Sequence, residues 1–200
     1  VLTELIDDPG VAIGDIARHL DGLPAGQRQD EARRLDRSRQ RSLYEKAAAS
    51  PALDLGHFVG DAPARAEVIH DGTNTLPLPG GLRHFQKRFC RPDGDDARLF
   101  GYNHGPSERL IGPGYFVAYA TRGRATWEAR GGVVIDYFQV PDGAVAAGWP
   151  AVVENGHGLQ RFVYYRTRDF MRRVSAHVSI GAAFKEERPL DHYFILCRRA

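Results

Sequence analysis

The densest group of chemically able side chains is Gly101-Tyr102-Asn103-His104-Gly105-Pro106-Ser107-Glu108-Arg109, continued by Leu110-Ile111-Gly112-Pro113-Gly114-Tyr115. Four glycines and two prolines among these 15 residues hold the backbone to a tight path. A rigid loop that displays Asn103, His104, Ser107, Glu108 and Arg109 is a place where binding groups concentrate. A histidine can serve near neutral pH as a general base or metal ligand, which makes His104 a candidate, and Glu108 is the nearby carboxylate. The same residues also suit a plain connection in which Asn103 and Ser107 bond their own backbone.

Asp136 is the second candidate. It interrupts the apolar run Val133-Val134-Ile135-Asp136-Tyr137-Phe138, where a charge must be paired, hydrogen-bonded or functional. An ionised carboxylate there requires a basic neighbour, and Arg83, Lys87, Arg88, Arg122, Arg198 and His177 are the candidates. The catalytic candidates are thus His104, Asp136 and Glu108, with His157 as a further base. Five histidines follow residue 81, at 84, 104, 157, 177 and 192, but their irregular spacing carries no metal signature. Phosphate-binding, dinucleotide, serine-hydrolase, zinc-protease and calcium-loop motifs are all absent, so no cofactor is indicated.

The stretch 83–91 alternates Arg83, Phe85, Lys87, Phe89 and Arg91 with His84, Gln86, Arg88 and Cys90. Aromatics between cations resemble a nucleic-acid platform in general chemistry. The charge balance argues against it: residues 81–200 carry 18 basic against 12 acidic side chains, and residues 1–80 carry 9 against 13. This asymmetry points to attraction between the two parts or to an anionic ligand on the second.

Three function classes follow. The first is a small-molecule binder, with a mostly apolar pocket walled by Tyr102, Tyr115, Tyr119, Tyr137, Phe138, Trp149 and Tyr165. Arg83, Arg88 or Arg109 would orient an anionic end, beside Asn103 and His157. The second is an enzyme using a histidine–carboxylate pair in the same cleft. The third is an interaction module using the arginines at 33, 34, 37, 39 and 41. The sequence does not indicate an oligomeric state.

The elements that must carry these groups can be read from periodicity. Residues 1–50 form an N-terminal helical segment, with apolar stripes at Leu2, Leu5 and Ile6 and at Ala12, Ile13, Ile16, Ala17 and Leu20. A single charged helix with a narrow buried stripe runs from about Gln27 to Ser50. Residues 51–81 are rich in Gly and Pro and read as an irregular connection packed on the core. From residue 82 the period becomes two. Strands are expected at 84–91, 98–103, 115–121, 133–140, 177–184 and 193–197, with the third and fourth central. Leu159, Phe162, Val163, Phe170, Met171 and Val174 fit a late helix, although Phe162 to Tyr165 also suit a strand. The expected fold is α+β: a curved antiparallel sheet or partly closed barrel of about six strands, with a late helix and an N-terminal helical layer. Residues 82–200 are read as the antiparallel α+β domain. The two cysteines, Cys90 and Cys197, lie in strands and are expected to be buried and reduced. No apolar stretch is long enough to span a membrane, and no leader pattern opens the chain, so a cytoplasmic location is expected.

Overall fold

The computed structural model describes residues 1–76, 83–106 and 108–199. Alternation of period two runs through its strands β1 (Val68–Asn74), β2 (His84–Cys90), β3 (Arg98–His104), β4 (Phe116–Ala120), β5 (Val133–Asp136), β6 (Thr167–Arg173), β7 (Val178–Lys185) and β8 (Arg188–Arg198). Each strand pairs antiparallel with the next, and β8 returns to β1, so the eight strands close into a barrel. Closure leaves no sheet edge without a partner.

The expected antiparallel α+β class stands, but the count of about six strands and the partial closure are corrected. One additional strand is β1, inside the stretch read as irregular. Its Gly72 and Asp71 hide the strand pattern, and its pairing comes from β2 and β8 rather than from local propensity. The other is β6, in place of the late helix. Only Gln160–Val163 is helical there. From Thr167 the chain alternates Asp169 and Met171 inward with Arg168, Phe170 and Arg172 outward, an arrangement that closure supports on both sides.

The helical layer comprises α1 (Leu2–Asp7), α2 (Ile13–Asp21), α3 (Ala25–Arg33) and α4 (Arg37–Lys46). The single charged helix expected over 27–50 breaks at Arg34–Asp36, where Leu35 is buried and Asp36 caps α4 by accepting the Arg39 N–H at 2.9 Å. Ile16, Leu20, Ala32, Leu35, Leu43 and Tyr44 pack on the outward side chains Val178, Ile180, Ile195 and Cys197 of β7 and β8. Full burial of each large aliphatic side chain contributes about 1.5–3 kcal/mol. Pairs such as Asp54–Arg173 at 3.1 Å and Asp71–Arg199 at 2.6 Å join the acidic and basic parts of the chain. Cys90 and Cys197 are free and buried.

The barrel interior is filled by side chains. Phe89, Leu99, Phe116, Ala118, Val133, Ile135, Met171, Phe194 and Leu196 form its core. The short helix α5 (Gly56–Val59) plugs one end, with Phe58 fully buried 4.8 Å from the Phe89 ring. Inward-facing Gly101 and Gly181 leave room for the Phe116 and Phe194 rings; a Cβ at either would overlap those rings. Such an interior is packed, the usual outcome for a barrel of this size.

Candidate functional site

The barrel wall carries a groove of about 510 Å³ beside α3. Its lining includes Gln29 and Arg33 of α3, Asp71 of β1, His84, Phe85 and Gln86 of β2, His104, Gly105 and Pro106 after β3, and Arg199. The register explains the convergence: Gln86 faces His104, and Thr73 faces His84, so side chains from three neighbouring strands share the outer surface. Arg199 forks onto Asp71 at 2.6 and 2.8 Å, and Gln86 donates to the same carboxylate at 3.2 Å. His84 Nδ1 lies 3.2 Å from Thr73 Oγ1.

His84 stands in the field of two arginines. Burial lowers the His84 pKa first, and the charges of Arg33 and Arg83 lower it further. Arg83 donates to the carbonyls of Asn74 at 2.9 Å and Leu35 at 3.4 Å and has no carboxylate partner among the described residues. At the rim, His104 Nδ1 lies 2.6 Å from Glu108 Oε2. Glu108 opens α6 (Glu108–Ile111), one tight turn beyond β3, which is why the two side chains meet. A carboxylate at Nδ1 fixes the tautomer that leaves Nε2 as the proton acceptor.

A second polar cluster lies inside the barrel. Lys87, only 2% exposed, donates to Asn103 Oδ1 at 2.9 Å and to the Tyr137 hydroxyl, and lies 3.3 Å from Asp169 Oδ2. Its Nζ stands 4.8–5.7 Å from the ring centres of Phe85, Phe116, Tyr137 and Phe194. Asn103 Nδ2 donates to the Gly114 carbonyl at 2.9 Å and to Tyr137 Oη at 3.1 Å. Burial pushes the Lys87 amine down and the Asp169 carboxyl up, so both move toward their neutral forms. It also pushes the Tyr137 hydroxyl far up.

The other sequence candidates do not converge on one cleft. Asp136 is 1% exposed on the outer face and meets Arg168 Nε at 3.2 Å and the Tyr119 hydroxyl at 2.6 Å. Its basic partner is none of those considered from the sequence, because Arg168 lies on the strand that had read as helix. Arg88 is held by Glu67 and Gln86 and lies over the Tyr102 ring. Tyr102, Tyr115 and Trp149 pack together outside the barrel, and Phe138 and Tyr165 are exposed; of the aromatics expected on a concave wall, Tyr137 is the one that points inward. His157 is exposed. Ser107 and the Arg109 side chain lie outside the described residues. The helix arginines are engaged within the chain: Arg37 on the Thr75 carbonyl, Arg39 on Asp7 and Arg41 on Asp191.

Sequence reasoning missed Lys87 and Asp169, as well as Arg33, His84 and Arg199 as groove residues. A signal for Lys87 was present, since alternation places it on the same face as Phe85 and Phe89. Among the described residues no group of three or more His, Cys, Asp or Glu side chains is placed to hold a metal ion, and no helix is long and apolar enough to cross a membrane. No family model, curated protein or solved structure matches this chain.

Proposed function

We propose that this protein binds a small, partly apolar anion in the groove between α3 and strands β1 to β3. The observation that carries this reading is a cavity of about 510 Å³ lined by Arg33, His84, His104 and Arg199. That volume falls in the range of small-molecule sites. Arg83, beside the groove, has no carboxylate partner among the described residues, Arg33 pairs only with the exposed Asp30 at 3.6 Å, and Phe85 and Pro106 supply apolar contact. The packed interior supports placing the ligand on the wall rather than inside the barrel.

The experiment is an NMR titration of the His84 ring with and without a panel of mono- and dicarboxylates and phosphate monoesters. A bound anion offsets the field of Arg33 and Arg83, so the His84 pKa rises on binding, and Arg33→Ala weakens the affinity about tenfold. If no member of the panel moves the His84 titration, the reading is wrong.

The His104–Glu108 pair at 2.6 Å favours a second reading, acid–base chemistry on the bound molecule. Nε2 of His104 would take the proton while Glu108 holds the ring. Here Glu108→Gln lowers turnover by about 10²-fold or more with little change in affinity. Equal losses in both would leave the pair a binding element only.

A further inference from the structure

Lys87, Asn103 and Asp169 have the constitution of a self-condensing triad. Lys87 and Asn103 face each other directly across β2 and β3, and Asp169 comes from β6, across the barrel interior. The amine lies 2.9 Å from the carboxamide oxygen and 3.3 Å from the carboxylate, within a cage of four aromatic rings. Lys87, Asn103 and Asp169 are all more than 90% buried, so amine, amide and carboxyl are largely withdrawn from bulk water.

We propose that Lys87 and Asn103 join in an intramolecular isopeptide bond, with Asp169 and Tyr137 moving the protons. Nζ adds to Cγ of Asn103 through its lone pair, and the C=O electron pair moves onto Oδ1, which Asp169 protonates through the Tyr137 hydroxyl that donates to it at 3.4 Å. Asp169 then takes a proton from Nζ. The C=O re-forms as that oxygen returns its proton, the Cγ–Nδ2 bond breaks, and Nδ2 leaves as ammonia with a proton from the Tyr137 hydroxyl. That hydroxyl is 3.1 Å from Nδ2 and also meets Asp169, which restores its proton. The net change is amine plus carboxamide to secondary amide plus ammonia; no oxidant, cofactor or second substrate is needed.

Burial favours each requirement. It shifts the amine toward its uncharged, nucleophilic form and the carboxyl toward its protonated form. It also excludes the water that would compete for Cγ. The Gly114 carbonyl and the Tyr137 hydroxyl hold the carboxamide with its oxygen toward Nζ. Nζ, held 2.9 Å from the oxygen bonded to Cγ, gains the large effective concentration of an oriented intramolecular pair.

Intact-mass spectrometry of the full chain after denaturation tests this. The expected mass lies about 17 Da below the sequence value, the mass of one ammonia. A tryptic digest should contain residues 84–88 joined to residues 99–109 through Lys87 and Asn103. Lys87→Arg and Asp169→Asn should each restore the full mass, with circular dichroism reporting whether the barrel is retained. The wild-type measurement decides the matter even if both variants fail to fold. An unshortened mass overturns the proposal. So does a loss of ammonia without the branched peptide, because Asn155-Gly156 can lose ammonia by cyclising on its own backbone. A loss of about 18 Da with a Lys87–Asp169 link also overturns the assignment to Asn103.

Discussion

Replacement of Asp136 by alanine isolates the energetics of one buried charge on the outer wall. The carboxylate is 1% exposed and holds four groups: Arg168 Nε at 3.2 Å, the Tyr119 hydroxyl at 2.6 Å, the Phe138 N–H at 3.0 Å and the Gln139 amide at 3.4 Å. The guanidinium of Arg168 is not stranded by the substitution. It is one-fifth exposed, keeps Glu187 at 2.9 Å, and lies over the Phe138 and Trp127 rings. The cost therefore falls below the top of the range for breaking a buried ion pair and is dominated by the Tyr119 hydroxyl and the Phe138 N–H, each left without its acceptor. Together these give about 3 kcal/mol. Asp136→Asn keeps an acceptor oxygen but loses the charge, and costs about half as much. Urea unfolding should show a lower midpoint at unchanged m for both variants, and the melting temperature of the alanine variant should fall by roughly 6–12 °C. Because Asp136 does not line the groove, ligand affinity should be unchanged. An alanine cost under about 1 kcal/mol, or equal costs for Ala and Asn, would refute the reasoning that a charge-assisted network is what holds this position.

Three further outcomes follow from the packing. Burial holds His57 down to about 2 and His70 to about 4; the unfolded chain therefore binds protons below pH 6.5 that the folded chain refuses. Stability present above pH 6.5 is lost as the pH falls toward 4, at up to about 1.4 kcal/mol per pH unit for each histidine. Asp169, held up by burial, offsets part of this loss as the unfolded carboxyl range is approached. A urea midpoint that stays flat from pH 7 to 5 would contradict it. Gly101→Ala forces a Cβ against the Phe116 ring and to 2.6 Å from the Arg88 carbonyl, so calorimetry should show a loss of about 2 kcal/mol; a neutral result would mean the Phe116 ring can move aside. Asp36→Ala removes the cap of α4 and should cost about 1 kcal/mol by urea titration, while Asp36→Asn should cost little.

Most of the barrel was legible in the sequence, because six of its strands show alternation together with turn residues that bound them. Pro92-Asp93-Gly94-Asp95 marks the β2–β3 hairpin, and Gly94 indeed takes a positive φ of 68°. The two strands that were not legible share a physical cause. In β1 and β6 the inward positions are held by residues that rarely line a core, Gly72 and His70 in one and Asp169 and Arg173 in the other. Each also pairs with a strand remote in sequence, β1 with β8 and β6 with β5, which local periodicity cannot register. The split of the charged helix at Arg34–Asp36 was likewise hidden. Leu35 fits a helical stripe, and it is the packing of Leu35 into the layer beneath, together with the Asp36 cap, that turns the chain.

The candidate site divides in the same way. The loop after β3 was read as the densest polar display, and it does bring His104 to Glu108, because four residues separate them across one turn. The remaining groove residues come from α3, β1, β2 and the C-terminal end, and only closure of the barrel assembles them. Lys87 is the instructive case. Alternation put it on one face with Phe85 and Phe89, and that face offered two descriptions: rings with a cationic rim, or rings with a cation among them. The second requires a buried counter-group, and the apolar spacing around Asp169 suits a helix rather than a strand. Strand β6 supplies that carboxylate at 3.3 Å, while the facing residue of β3 supplies the carboxamide at 2.9 Å. A lysine inside an apolar barrel is costly unless it is paired or neutral. Here the partners come from residues that also have the chemistry to remove the charge permanently. The polar interior and the groove beside α3 are thus separate features, on opposite faces of the barrel wall.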